Sequence, residues 1–132
     1  MISDQNRPEP EAAPLPAGAE RMLRETYLAF QKRDLKHAMK HIRDDVLWPT
    51  PDERSHGVGH DAVKAWRESQ FPRKDSRLAP QEILLDRDGF SIVVRCHQLV
   101  RDKSDAVVVD RKIEHVYELR EGLIARMIVR AD

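Results

Sequence analysis

The sequence predicts an α+β fold in which three N-terminal helices pack on one face of a curved, four- to five-stranded, mainly antiparallel sheet. Three long extended runs carry the sheet prediction: residues 90–101, 106–119 and 123–130 are rich in β-branched residues and separated by short turns. Helically spaced apolar residues fill much of the first half of the chain. Helices folded over one side of a bent sheet make a cone, whose mouth is a natural hydrophobic pocket.

The composition favours one soluble domain. The 132 residues suffice for one core, which we assign to residues 18–132, and residues 1–17, with four prolines, are predicted to be a disordered or loosely packed tail. Equal counts of 23 basic and 23 acidic residues give no net charge, so neither nucleic acid nor an anionic membrane is an expected partner. No long apolar run is present, and we predict a cytoplasmic protein.

The helical elements come first along the chain. Residues 19–33 form the first predicted helix, with a buried stripe that ends at Tyr27 and Phe30. A second, shorter helix is predicted from an apolar pattern that runs from Leu35 to Ile42, with Asp34 as its N-cap. Residues 60–70 form the third helix, with Trp66 on its inner side.

The polar face of the second helix carries two histidines, His37 and His41. Two histidines at this spacing are only a weak metal signal, because no third ligand lies near them in sequence. The sequence therefore predicts no metal site. No cofactor is expected either.

Two further strands are predicted before the three long runs. Residues 44–48 read as a short strand that Pro49 and Pro51 stop, and residues 50–59 as a loop. Residues 81–85 form a strand that leads into the main sheet.

The first long hairpin sorts its side chains into two faces. A four-residue loop over residues 102–105 places Ile92 opposite His115 and Phe90 opposite Tyr117. One face is then almost wholly apolar. Its polar members are Cys96, Gln98, Arg111, His115 and Tyr117. The other face carries mixed charges, as expected for a solvated or partner-facing surface.

The second turn supports the same division. A three-residue turn with a bulge at Gly122 places Leu119 opposite Leu123 and sends Arg126 and Arg130 to the charged face. A two-residue turn over Glu121 and Gly122 would send both arginines inward. We prefer the bulged turn, because burying two unpaired charges is costly.

Four segments resemble the nuclear transport factor 2-like superfamily, in particular its SnoaL-like and ketosteroid isomerase-like branch. They are residues 27–35, 44–48, 57–66 and 115–124. The resemblance spans residues 19–130 and implies a cystatin-like cone fold. As a guide to function it is weak, because this fold serves isomerases, cyclases, dehydratases, epoxide hydrolases and binding modules.

The resemblance also implies roles for some residues. Tyr27 matches the tyrosine that donates to the oxyanion in ketosteroid isomerases, and the second donor falls on His115, or on Glu114 in an ungapped match. The general-base carboxylate of these isomerases corresponds to Thr50, which cannot act as a base. The final strand has no counterpart of the cyclase aspartate.

We predict His115 as the acid–base residue, with Tyr27 and Tyr117 as hydroxyl donors. The alternative is a core histidine that bonds to a tyrosine or a carbonyl, with both tyrosines serving to pack the core. Arg111 is predicted either to hold an anionic ligand or to form an ion pair with Asp44 or Asp45. The predicted ligand-binding residues are Phe30, Trp48, Trp66, Ile92, Arg111, Ile113 and Met127.

The leading functional hypothesis is a pocket for a small, mostly apolar, carbonyl-bearing molecule, with cofactor-independent isomerisation, cyclisation or dehydration if the protein is an enzyme. The alternative is a non-catalytic binding or dimerisation module. An inward-facing Asp44 or Asp45 would favour the enzyme. Both hypotheses predict a homodimer through the outer sheet face, where Val93, Val108 and Val116 lie among charges.

Overall fold

A computed structural model of the protein describes residues 14–73 and 75–131. Three helices and six strands follow the order α1 (Ala19–Gln31), α2 (Leu35–Met39), β1 (Ile42–Pro49), β2 (His56–Val58), α3 (His60–Gln70), β3 (Arg77–Leu85), β4 (Ile92–Arg101), β5 (Val107–Arg120) and β6 (Leu123–Ala131). In the part of the chain described, no helix is long and apolar enough to cross a membrane.

The strands form one sheet in the order β2-β1-β6-β5-β4-β3, and every pairing except that of β1 with β6 is antiparallel. The predicted fold class is confirmed, with six strands instead of four or five. The additional strand is β2, in a stretch predicted to be loop. It pairs with β1 over only three residues, too few for a period-two pattern to stand out in sequence.

The helices bury one stripe each against the sheet. On α1 the stripe includes Leu23, Tyr27 and Phe30, and on α3 it includes Val63 and Trp66. These five side chains are at most 2% exposed. Together they form the helical side of the core, as the helical spacing predicts.

The second helix is shorter than its apolar pattern suggests. Asp34 caps α2, its carboxylate accepting from the backbone N–H of His37 at 3.1 Å, as predicted. The helix ends at Met39, and Ile42 instead begins β1, so the extension of the helix to Ile42 is wrong. Ile42 is buried in either case, which is why the helical pattern included it.

In the β4–β5 hairpin the faces are as predicted, but the register is wrong by two residues. Ile92 pairs with Tyr117, and Val94 pairs with His115. The loop is longer than predicted because the carboxylate of Asp102 accepts from the backbone N–H of Ala106, and a bulge follows next to Arg101. The two extra positions cancel in parity, so every side chain keeps its face.

The β5–β6 turn also differs from the prediction. Glu121 and Gly122 both have positive φ, 55° and 79°, and Arg120 pairs with Leu123, which defines a two-residue turn. A bulge beside Leu119 then restores the faces, so that Arg126 still points outward. The predicted pairing of Leu119 with Leu123 is wrong, because Leu119 pairs with Ile124, which takes the buried position.

Residues 1–13 of the predicted tail lie outside the described residues. Within the described part, Leu15 packs against the core cluster.

The outer sheet face is built differently from the core. Arg95 contacts Glu82 and Glu114, and Arg130 contacts Glu114.

Candidate functional site

The interior of the cone holds a chain of three hydroxyl and imidazole groups. Tyr27 projects from α1, and His115 and Tyr117 project from β5, two residues apart and therefore on one face. The hydroxyl of Tyr117 donates to the hydroxyl oxygen of Tyr27 at 2.7 Å. The Tyr27 oxygen lies 2.7 Å from His115 Nδ1. The structure thus brings the three predicted catalytic residues into one connected cluster.

The hydrogen bonds of Tyr27 favour one tautomer of His115. Since Tyr27 accepts from Tyr117, its own hydroxyl proton is free to donate to Nδ1 of His115. The proton of the neutral imidazole then resides on Nε2. Cys96 completes the cluster, with its Sγ 3.6 Å from the Tyr27 oxygen and 3.8 Å from Nδ1.

Burial keeps every member of this cluster uncharged at neutral pH. It lowers the pKa of His115 to about 3, and the charge of Arg111 acts in the same direction. Burial also raises the pKa of Tyr27 and of Tyr117 well above their ordinary values, and that of the Cys96 thiol to about 12. His115 is therefore a weak base here, and its remaining chemistry is that of a hydrogen-bond donor.

Two buried nitrogens in this interior lack a hydrogen-bond partner within the described residues: Nε2 of His115 and Nε1 of Trp48. Buried polar atoms are almost always satisfied, so each unpaired atom calls for an explanation. In His115 the unpaired atom is the one that the Tyr27 contact leaves free. It offers a fixed polar anchor within an apolar surrounding.

The predicted ligand-binding residues surround this cluster. Trp66 presents its ring to His115 at 5.6 Å between centroids, and Trp48 lies 5.5 Å from Trp66 and 6.1 Å from Phe30. The aliphatic members belong to the same core cluster, each at most 2% exposed; they are Ile92, Ile113 and Met127. These residues are packed together in the core around the cluster.

Arg111 lies at the edge of this core, where its side chain is 38% exposed. Its guanidinium donates to Glu53 at 2.9 Å and to the side-chain oxygen of Gln98 at 2.6 Å. Trp66 Nε1 donates to the same Glu53 carboxylate at 3.1 Å. The predicted pairing of Arg111 with Asp44 or Asp45 is wrong, because both aspartates are exposed and Asp45 binds Arg43 instead.

Glu53 is the residue that the sequence analysis missed. It lies in the loop after β1, three residues beyond Thr50, and its backbone has φ of 63°. That left-handed conformation turns a carboxylate inward from an otherwise solvated loop, leaving its side chain 12% exposed. The one available signal was that Glu53 is a carboxylate shortly after the first strand. Residue types alone do not predict the loop geometry that turns it inward.

A surface pocket of about 340 Å³ lies where α1 begins and the β5–β6 hairpin ends. Its lining includes Met22, Phe90 and Leu119. Met22 and Leu119 also pack against the core cluster from its edge. Met22 shares α1 with Tyr27, and Leu119 shares β5 with Tyr117.

No family model and no curated protein matches the chain. Solved structures do match it along most of its length. An NTF2-like protein of unknown function from Burkholderia pseudomallei is 27% identical, with 89% of this chain and 92% of that chain covered and a TM-score of 0.71. TerC, co-crystallised with polyporic acid, is 22% identical, with 88% and 92% covered and a TM-score of 0.71.

A Mycobacterium tuberculosis protein in complex with estradiol-17beta-hemisuccinate is 14% identical, with 89% of this chain and 95% of that chain covered and a TM-score of 0.71. The chain therefore has the fold of the nuclear transport factor 2-like superfamily, as its sequence segments predict. Fold alone does not assign an activity, which has to be argued from the site.

Proposed function

We propose that this protein binds a small, mostly apolar molecule whose carbonyl oxygen accepts a hydrogen bond from Nε2 of His115. The observation that carries the proposal is the buried, unpartnered Nε2 on a histidine whose other nitrogen is held by Tyr27. A carbonyl oxygen supplies the acceptor that this nitrogen lacks, and adds no charge to a site that disfavours charge.

The surroundings of His115 support a ring-containing ligand. Trp48, Trp66 and Phe30 present three aromatic rings within 6.1 Å of one another by centroid distance. Aromatic side chains pack well against flat apolar molecules. One protein of this fold was co-crystallised with polyporic acid, and another was solved in complex with estradiol-17beta-hemisuccinate. The fold therefore admits small organic ligands.

Entry requires a movement of the core, since His115 and Tyr117 have no exposed surface in the described chain. We propose that the ligand enters through the pocket beside Met22 and Phe90. Phe90 is 60% exposed and is not held in the core, so its displacement disturbs few contacts. The ligand would then replace core contacts between α1 and the inner sheet face.

Proton-transfer chemistry is the second candidate function. The chain from Tyr117 through Tyr27 to His115 can stabilise a developing oxyanion by donation, as the resemblance implies. A general-base carboxylate is less well provided. Asp44 and Asp45 face solvent, and Glu53 is occupied by Arg111 and Trp66. Binding without turnover therefore has the stronger support.

A thermal-shift screen tests the binding proposal, with carbonyl-bearing steroid, polyketide, terpenoid and aromatic-acid compounds. A ligand at 100 times its dissociation constant should stabilise the fold by about 2.7 kcal/mol. We expect hits with the wild type and with His97→Gln, a histidine variant on the outer face, and a loss of those hits with His115→Gln. Hits that persist equally in His115→Gln would overturn the proposed anchor.

We also propose that two copies pair through the outer sheet face. Val108, 57% exposed, offers apolar surface on this face, whereas Val93 and Val116 pair with each other and are at most 6% exposed in a single copy. The charges beside them are already ion-paired within the chain, which lowers the cost of covering them. Sedimentation at micromolar concentration should give twice the chain mass. A monomer for both wild type and Val108→Glu would refute the dimer.

A further inference from the structure

The corner between α1 and α2 brings together three metal-ligating side chains that lie apart in sequence. His37 and His41 come from α2 and the residues just after it, and the fold adds Glu25 from α1. The third ligand that the two histidines lack in sequence is thus supplied by packing. This corner is separate from the interior cluster around His115.

The three groups are arranged as ligands of one ion would be. One donor atom from each of the three side chains lies within 4.8 Å of the other two. Nε2 of His41 is 3.6 Å from Oε2 of Glu25. The two imidazole rings are 5.7 Å apart by centroid and inclined at 73°. Ligands about 2.0–2.2 Å from a tetrahedral zinc ion lie roughly 3.3–3.6 Å from one another, so small side-chain rotations complete the site.

An unsatisfied atom points to the same place. Nε2 of His41 is buried and has no hydrogen-bond partner among the described residues. Its separation of 3.6 Å from the Glu25 carboxylate is too long for a hydrogen bond. A cation between the two atoms would satisfy both, which a direct contact at this distance does not.

Neighbouring groups hold the ligands in place. Nε of Arg21 donates to Oε1 of Glu25 at 3.1 Å, which leaves Oε2 directed at His41. The Asp34 cap fixes the turn of α2 that carries His37. Such outer contacts orient the ligands of metal sites. The positive charge of Arg21 opposes a cation only weakly, because its side chain is 87% exposed and solvent screens it.

We propose that Glu25, His37 and His41 bind a zinc ion, with a fourth position open to water or a small anion. Two imidazoles and one carboxylate are a ligand set that zinc takes in proteins, with an open position when only three protein ligands are present. The ion would join α1 to α2 and so stabilise the corner that leads into β1. Cobalt binds the same kinds of nitrogen and oxygen ligand and is a suitable coloured substitute.

Cobalt titration of the metal-free full chain, purified without a histidine tag, tests the site. We expect one equivalent of Co²⁺ to give the intense visible absorption of a four-coordinate ion, and Zn²⁺ to displace it. His37→Gln should weaken cobalt binding by more than about 100-fold. Loss of an outer-shell contact costs at most about that much, so a larger loss identifies His37 as a ligand. His37 is exposed, so this variant should fold normally, which circular dichroism checks.

A matched control distinguishes the site from adventitious surface binding. His97 pairs with Asp110 at 2.6 Å on the exposed sheet face, a histidine–carboxylate pair without a third ligand in the described chain. His97→Gln should leave cobalt binding unchanged, and Glu25→Gln should abolish the four-coordinate spectrum. Wild-type binding that survives both His37→Gln and Glu25→Gln, or a six-coordinate spectrum with the wild type, would overturn the proposal.

Discussion

His115 and His97 lie on neighbouring strands of one sheet, and their surroundings could hardly differ more. His97, on the outer face, is about one-third exposed and contacts the Asp110 carboxylate at 2.6 Å. His115, on the inner face, is fully buried and contacts the neutral hydroxyl of Tyr27. Burial favours the neutral form of the His115 imidazole. The face of the sheet, more than the residue type, decides what a histidine can do here.

The same contrast extends to whole faces. The outer face holds its charges as exposed or half-buried pairs, such as Arg126 with Glu118, and pairs of this kind contribute little individually. The inner face holds packed aromatic rings, with Arg111 as a charged group at its rim. Stability should therefore depend on the inner face, and changes on the outer face should be tolerated.

The largest expected effect comes from removing an inner ring. Trp66→Ala deletes a fully buried side chain that contacts Phe30, Trp48 and His115, and should lower the free energy of unfolding by about 3–5 kcal/mol. Arg126→Ala on the outer face should cost less than about 1 kcal/mol. Urea unfolding measures both, and equal losses would erase the contrast between the faces.

The next effect is a pH dependence of stability that comes from His115. The pKa of His115 falls from 6.5 to about 3 on folding, so between these values the unfolded chain binds a proton that the folded chain does not. Its contribution to stability is present above pH 6.5 and is lost as the pH falls toward 3, by about 1.4 kcal/mol per pH unit.

Unfolding curves from pH 7 to pH 4 check that sign. As the pH falls, the free energy of unfolding should decrease more steeply for the wild type than for His115→Gln. The difference in slope should correspond to nearly one proton. Parallel curves for the wild type and His115→Gln would mean that residue 115 is not held neutral by burial.

A smaller effect is expected from the hydroxyl chain. Tyr117→Phe keeps the ring and removes only its donation to Tyr27, so it should cost about 1 kcal/mol. Tyr27→Phe should cost more, about 1–3 kcal/mol, because it leaves both Nδ1 of His115 and the Tyr117 hydroxyl unpaired. A double-mutant cycle should show coupling between the two changes, and simple additivity would argue against a connected chain.

The smallest effect concerns the turn that sets both faces of β6. Glu121 occupies a position with positive φ, which asparagine tolerates better. Glu121→Asn should raise stability by roughly 0.5 kcal/mol. A thermal melt detects this, and a loss of stability would indicate that the exposed contact of Glu121 with Arg43 matters more than the turn.

Alternation explains why so much of the sheet could be predicted. The inner positions of Cys96, His115 and Tyr117 depend only on parity, and the extra loop residue and the bulge of the first hairpin cancel in parity. The helical stripe of Tyr27 and Phe30 follows equally from spacing. Contacts between these elements then follow from which faces are apolar.

Loops and hydrogen-bond partners could not be predicted in the same way. Glu53 enters the site through a left-handed residue in a loop, and Ile124 replaces Leu123 through a bulge. Both depend on local backbone geometry that residue types do not specify. The meeting of Glu25 with His37 and His41 depends on how two helices pack, which has no periodic signature in either segment.

The most direct test of the central claim is ¹⁵N NMR of the His115 imidazole through a pH titration, with and without a ligand from the screen. A neutral ring from pH 8 to below pH 5, with its proton on Nε2 and that resonance shifted by ligand, would support a donor poised in a closed apolar site. A ring that titrates near its ordinary pKa of 6.5, or carries its proton on Nδ1, would contradict it.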